Sequence, residues 1–341
     1  ARRATLEGRA PQIVDPQVAI GGVVFGDDGA PDDALVAVSD GHGSWALGET
    51  VTEARAAAGK VQGRRTTAPP VAPLDLPPGS WDRTLQTGWV EPAYLETDAA
   101  WCAPGGEPSS PLSNGGAFGG KLVSDVGAVA RRLADEQGRA VRVRWSREDA
   151  VRWGPKRPPV AIGANRDGSG VIRVARTAGV AEAVGALADG WVIEEVDVAG
   201  PTTSVALRGA GWAEVAVVLS SLGDGPDAVS APEGGRASAV IGDDGTIHVT
   251  VAAGEVLDEV VLRSYAIGAA HMGLGWCMSE GITLDDDGAP VDLTIRSFGI
   301  VRPAEMPIVQ VTVEQSDRPP VNGSDAVFAA VAAAAWRRLG F

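Results

Sequence analysis

Cysteine is nearly absent from this 341-residue chain, with only Cys102 and Cys277 present. Two thiols exclude a disulfide framework and cannot supply the four thiolates of an iron–sulfur cluster. Lysine is almost as scarce, limited to Lys60, Lys121 and Lys156, and the net charge is −15. An acidic surface repels phosphate backbones, so nucleic-acid binding is not expected. No apolar run approaches the ~20 residues of a membrane span. The opening ARRATLEGRAPQ lacks the apolar stretch of a secretory signal, so the expected setting is soluble and cytoplasmic. Histidine occurs only as His42, His248 and His271, and no His/Cys spacing of the zinc type is found, so no metal ligands are predicted.

What remains is apolar and small. Hydrophobic residues make up 45% of the chain, enough for a large core divided into two or three units. Ala34–Val38 reads as a strand, Glu49–Ala58 as a helix stopped near Gly59, and Trp89–Cys102 as a further strand. Between Thr66 and Ser80 five prolines remove backbone donors and force extended chain, so this stretch is a connector. Leu122, Val126, Val129 and Leu133 recur at helical spacing and predict a helix from Leu122 to about Gln137, with Gly138 as its stop. Ala140–Trp145 alternates as a strand, and Ser146 with Asp149 resembles a capping box. Asp167–Gly170, Asp243–Gly245 and Asp285–Gly288 are turns. The first two introduce strands around Val171–Ala175 and Thr246–Val251, and Ile308–Val313 alternates again. An alanine-rich helix closes the chain from about Asp325 to Leu339. The expected class is α+β, with mixed sheets and packed helices. The expected division is an N-terminal subdomain over 1–80, a second over 81–230 and a third over 231–341.

The most distinctive stretch is Asn114–Lys121, NGGAFGGK, with four glycines in the seven residues from Gly115. A glycine-rich loop before a helix gathers backbone N–H groups into an anion site. The spacing is that of neither a Walker loop nor a dinucleotide fingerprint. GGAFGGK resembles the GGGFGGK loop of the molybdenum hydroxylases, the xanthine dehydrogenase and aldehyde oxidoreductase family. Further stretches resemble the same large subunit in the same order. Glu91–Thr97 (EPAYLET) is similar to its HAYLEP strand, and Ala206–Trp212 (ALRGAGW) to its RGFG loop. Arg263–Glu280 (RSYAIGAAHMGLGWCMSE) resembles a helix and strand with GxxxxGLG, and Asn322–Trp336 stands where the family has KGVGEPP and an alanine-rich helix.

The resemblance implies molybdopterin-binding domains and a molybdopterin-type molybdenum cofactor near Gly116, Ala117, Phe118, Gly119 and Gly120, and near Arg208, Gly209 and Ala210. It also implies iron–sulfur and flavin groups on partner subunits, hydroxylation of a small heterocyclic, aromatic or carbonyl substrate, and a carboxylate base at Asp325. The chain departs from the family in several places. Only the twelve residues 103–114 separate Cys102 from Gly115, and none is the glutamine that the family places there. Leu122 replaces a frequent glutamate, Tyr265 stands at a cofactor-contacting glutamine, and the base is an aspartate in place of a glutamate. A carboxylate one methylene shorter falls ~1 Å short, a misplacement worth on the order of 100-fold in rate.

Three functions follow: a shortened molybdenum-hydroxylase-like oxidoreductase subunit; a cofactor-free isomerase, cyclase or lyase using Asp325, Arg208, Tyr265 and His271; or a non-catalytic partner subunit. Homo-oligomerisation is left open. Each residue also has a plainer role to play. Arg208 can be a buried salt-bridge partner, Asp325 a helix cap, and the glycines a tight turn. His42 and His248 read as structural. Trp89, Trp101, Trp212 and Trp276 lie beside the motifs, as core residues or as walls for a flat substrate.

Overall fold

Alternation and turn chemistry account for much of the sheet structure. Asp244 accepts from the backbone N–H and hydroxyl of Thr246. That closes a turn between strands Arg236–Ile241 and Ile247–Ala252, which pair antiparallel. The computed structural model describes residues 25–59, 69–112, 115–223 and 228–339. Asn114, Lys60 and the Thr66 end of the connector lie outside the described residues. The class is α+β, as expected, with three four-stranded sheets and packed helices among the described residues.

The described residues divide between two compact units. The first takes its residues from 1–66, 92–155 and 289–294, and the second from 67–91, 156–288 and 295–341. The units interleave along the chain, so breaks at residues 80 and 230 do not separate them. Residues 69–80 carry no helix or strand, in keeping with the proline density.

In the first unit the sheet order is Trp45–Gly48, Leu35–Ser39, Val141–Arg144, Ala99–Cys102, with only the central pair parallel. Pleating sends alternate residues to opposite faces. Val36 and Val38 meet Ala54 of helix Val51–Ala58, while Ala37, Val141 and Val143 meet Val126, Ala130 and Leu133 of helix Val126–Gln137. Two expectations are corrected here. The segment from Trp89 to Cys102 is a strand only over Ala99–Cys102, because Pro92 lacks a donor and Ala93 takes a left-handed φ of 53°. The helix expected from Leu122 begins at Val126; Leu122 instead lies exposed in a 3₁₀ segment, Ala117–Val123. Gly138 ends that helix with φ 62°, and Ser146 and Asp149 form the capping box that opens helix Arg147–Trp153.

The second unit holds two sheets. One is ordered Arg83–Gln86, Val160–Ala164, Gly170–Ala175, Val192–Val196, and the other Val309–Glu314, Ile247–Ala252, Arg236–Ile241, Val229–Ser230. Its centre is helix Ser324–Leu339, in which Ala326 through Trp336 are all buried. A helix apolar on every side belongs inside a core. It packs on helices Trp212–Leu222 and Glu259–Met278. A Cβ at Gly273 would stand 2.6 Å from the Phe328 carbonyl oxygen, so only glycine permits that approach. The stretch Arg263–Glu280, expected as helix and strand, is part of this single helix through Met278, and His271 sits within it.

Candidate functional site

The glycine loop is built from tight local geometry in the first unit. Ala117 and Phe118 have φ of 51° and 60°, and Gly119 follows at 102°. Two consecutive side-chain-bearing residues in left-handed backbone store strain of ~1–3 kcal/mol each. A Cβ at Gly115 or Gly116 would meet nothing within 4 Å, whereas one at Gly120 would come within 2.9 Å of the Tyr94 ring. The glycines therefore serve two purposes: Gly120 admits Tyr94, and Gly115 and Gly116 leave open space. Tyr94 donates to Asp98 Oδ1 at 2.7 Å, and Lys121 Nζ lies 2.8 Å from Glu96 Oε1. The EPAYLET and GGAFGGK stretches are thus packed against one another. Burial raises the Asp98 carboxyl above its usual range, against hydrogen bonds and the nearby Lys121 charge.

Arg208, Tyr265 and Asp325 lie in the second unit. Arg208 has φ 47° and is 7% exposed. Its Nη1 donates to Ser324 Oγ at 2.6 Å and to Asp325 Oδ1 at 3.4 Å, and its Nε faces Met272 Sδ at 3.4 Å. Ser324 Oγ in turn donates to Asn322 Oδ1 at 2.7 Å. Burial lowers the Arg208 pKa; Asp325 and, more weakly, Tyr265 counter this, while Arg157 adds to it. Tyr265 and Met272 are seven residues apart, so they share a helix face toward Arg208. His271 lies about 100° round the helix. Its Nε2 meets the Val301 carbonyl at 2.7 Å, which ties it to a different element from the one that holds Asp325. Asp325 is the second residue of its helix and Ser324 the first, so the carboxylate sits in the first turn, where the helix dipole favours negative charge. Gly209 and Gly211 continue the turn with φ of 64° and 95°, and Ala210 is fully buried.

Arg157 and Glu214 were not singled out from the sequence. Arg157 Nε meets Glu214 Oε1 at 2.5 Å, and its Nη1 donates to the carbonyls of Leu207 and Arg208. Glu214 Oε2 accepts from the Gly211 backbone N–H. This fully buried pair holds the ALRGAGW turn from beneath. The one signal available was charge in apolar surroundings: Lys156–Arg157 before two prolines, and Glu214 in the run WAEVAVVL.

The non-glycine residues with left-handed φ among the described residues are Ala93, Ala117, Phe118 and Arg208. All four fall in the EPAYLET, GGAFGGK and ALRGAGW stretches. Among the described residues no group of three His, Cys, Asp or Glu could hold a metal, and no helix is long and apolar enough to cross a membrane. The default reading of the tryptophans as core holds for Trp89, Trp212 and Trp276, which are buried; Trp101 is half-buried.

No protein-family model and no curated protein matches this sequence. Solved structures do match the fold. The Cu,Mo carbon monoxide dehydrogenase aligns over 76% of this chain and 73% of its own, with TM-score 0.53 and 8% identity. Quinoline 2-oxidoreductase from Pseudomonas putida 86 aligns over 75% and 73%, with TM-score 0.48 and 9% identity. At these identities the likeness is one of fold: the chain has an α+β scaffold similar to that of molybdenum oxidoreductases.

Proposed function

We propose that the chain is a shortened molybdenum-hydroxylase-like oxidoreductase subunit acting on a small heterocyclic, aromatic or carbonyl substrate. The observation that supports this most is where the backbone strain falls. Every left-handed non-glycine residue described lies in a stretch that resembles one of the family's motifs, three of the four at positions the resemblance assigns to the cofactor. Strain persists where the surrounding structure over-determines it, and functional sites are where it concentrates.

The residues present fit an anionic pterin-type group. In the second unit Arg208 is a buried cation, and Arg157 Nη2 is a buried donor with no partner among the described residues. Arg208, Gly209 and Ala210 would offer such a group a positively charged turn; in the first unit, taken by itself, Gly116–Gly120 present backbone without side-chain bulk. When bound, such a group supplies the two-electron redox chemistry. The chain's own part is to hold the Asp325 carboxylate beside Arg208 as a proton acceptor, 13% exposed and thus reachable from outside. Electrons would leave through iron–sulfur and flavin groups on partner subunits, since two cysteines cannot hold a cluster.

Expression in a host that makes the cofactor, followed by elemental and pterin analysis, tests the reading. About one molybdenum per chain is expected, dropping severalfold in Arg208→Ala, because a buried anion loses its cation. Protein free of molybdenum and pterin from such a host would sink it. One observation favours a second reading: the Arg208–Ser324–Asp325 cluster is complete within one unit and could move protons without a cofactor. Turnover by metal-free protein, lost in Asp325→Asn, would select it.

A further inference from the structure

Three alternate side chains of the segment Tyr94–Asp98 grip the far end of the glycine loop. The Tyr94 ring fills the space beside Gly120, where a Cβ would come within 2.9 Å of it. Two residues on, Glu96 Oε1 lies 2.8 Å from Lys121 Nζ. Two further on, Asp98 stands close enough to the Ser124 hydroxyl for that group to lower its pKa. Positions 94, 96 and 98 thus meet 120, 121 and 124 in the same order. The residues between them turn elsewhere: Leu95 is exposed, and the Thr97 hydroxyl donates to the Trp145 carbonyl at 2.8 Å.

Asp98 is the hub of this grip. It is fully buried, and its Oδ1 accepts from the Tyr94 hydroxyl at 2.7 Å. Its own carbonyl accepts from the Trp145 backbone N–H at 2.9 Å, next to strand Val141–Arg144, which fixes it to the sheet. Asp98 Oδ2 and Ser124 Oγ are both buried without a hydrogen-bond partner among the described residues. An unpaired buried polar group is costly, and each of these two satisfies the other when they bond. Within the loop, the Gly119 and Lys121 N–H groups donate to the Gly116 carbonyl at 2.9 and 3.1 Å. Those bonds close the turn but fasten it to nothing outside. Left-handed Ala117 and Phe118 persist only where the surroundings over-determine them, and the contacts from 94, 96 and 98 do that.

We propose that Asp98 is a positioning residue for the glycine loop: joined to Tyr94 and Ser124, it anchors the loop's far end to the sheet and so holds Ala117 and Phe118 in left-handed backbone. That the loop is held ready for a cofactor rests on the function proposed above. The anchoring itself is read on the chain alone, so the two fail separately. Burial raises the Asp98 pKa; the Ser124 and Tyr94 hydroxyls and the Lys121 charge lower it, and Asp125 adds to the rise. Glu96, paired with Lys121, also faces the loop.

Amide resonances of the full chain, followed from about pH 4 to about pH 8, test the anchor. Those of Phe118, Gly119 and Gly120 are expected to titrate together with a midpoint above the ordinary carboxyl range. Asp98→Asn, which accepts from Tyr94 and donates to Ser124, should keep the loop resonances and lose that titration, which separates Asp98 from Glu96. Tyr94→Phe and Asp98→Ala should each quicken hydrogen exchange at Gly119 and Lys121 about tenfold, the size of one lost hydrogen bond. Asp98→Asn should stay within about twofold of the native rate, as should helix Val126–Gln137 in every variant. Circular dichroism reads whether each variant is folded, and Tyr94→Phe and Asp98→Asn keep the test decisive should Asp98→Ala unfold. Loop amides that do not titrate, a titration that survives in Asp98→Asn, or exchange quickened equally in the loop and along that helix would each overturn the proposal.

Discussion

Arg208 bears two unfavourable terms at once, a buried guanidinium and a left-handed φ of 47°. What offsets them is local: Asp325 neutralises the charge, and Ser324 takes one donor at 2.6 Å. Removing one partner leaves the other charge without compensation. Arg208→Ala is expected to destabilise the chain by about 3 kcal/mol, and the double change with Asp325→Ala by clearly less than the sum of the two single changes. Urea unfolding of the four proteins measures this, and strict additivity would show that the two charges do not depend on each other. Glu280 makes the opposite kind of prediction. A carboxyl that binds its proton more tightly when folded stabilises the native state at low pH. That contribution is lost as pH rises from about 4.5, its ordinary value, through about 8, its folded one. Unfolding midpoints should therefore fall over that window, and Glu280→Gln should flatten the fall. Arg208 and Asp325 were legible because each stands in a stretch with a family counterpart. Glu280 closes such a stretch too, but its burial comes from enclosure by residues more than 50 positions away in sequence, such as Trp336 and Gln86, and enclosure has no local pattern.

Among the strands, alternation was readable where one face is less buried than the other. Val141–Arg144 alternates buried and less buried, as the VRVR pattern requires. Val160–Ala164 is buried at every position, so its residues carry no period, and no strand was expected there. Helix Glu259–Met278 failed differently. Its glycines and alanines suggest a break, yet they mark where the helix touches Ser324–Leu339. Gly273→Ala should then cost about 1–3 kcal/mol, since its methyl would enter the space of the Phe328 carbonyl. Gly268→Ala, where a Cβ would meet nothing within 4 Å, should be neutral or stabilise by up to about 1 kcal/mol. Thermal melts of the pair separate packing from propensity, and equal shifts would refute the contact. The 3₁₀ segment allows a similar contrast. Phe118→Gly removes the penalty at φ 60° and should raise stability by about 1 kcal/mol. If the strain is retained for function, the same change lowers molybdenum and pterin content.

The chain as a whole is organised by pairings that no short window shows. Leu35–Ser39 lies between Trp45–Gly48 and Val141–Arg144 in its sheet, and its parallel pairing with the latter spans about 100 residues of chain. Parallel strands need such a crossover, and here the chain contributes residues 69–91 to the second unit along the way. The proline-rich stretch was visible as a connector, but the return of the chain was not, because a connector says only where packing stops. A fragment of residues 81–230 therefore lacks a central strand of one sheet and the most buried helix of the other unit, Ser324–Leu339. It should show neither cooperative melting nor dispersed amide resonances. Residues 25–155 with 69–91 replaced by a short Gly/Ser linker keep all four strands of the first sheet and helices Val51–Ala58, Val126–Gln137 and Arg147–Trp153. That fragment should melt cooperatively, because both faces of its sheet remain covered. The reverse outcome, order in 81–230 and disorder in the linked fragment, would mean that the chain folds by consecutive segments and that the interleaved units are not its cooperative parts.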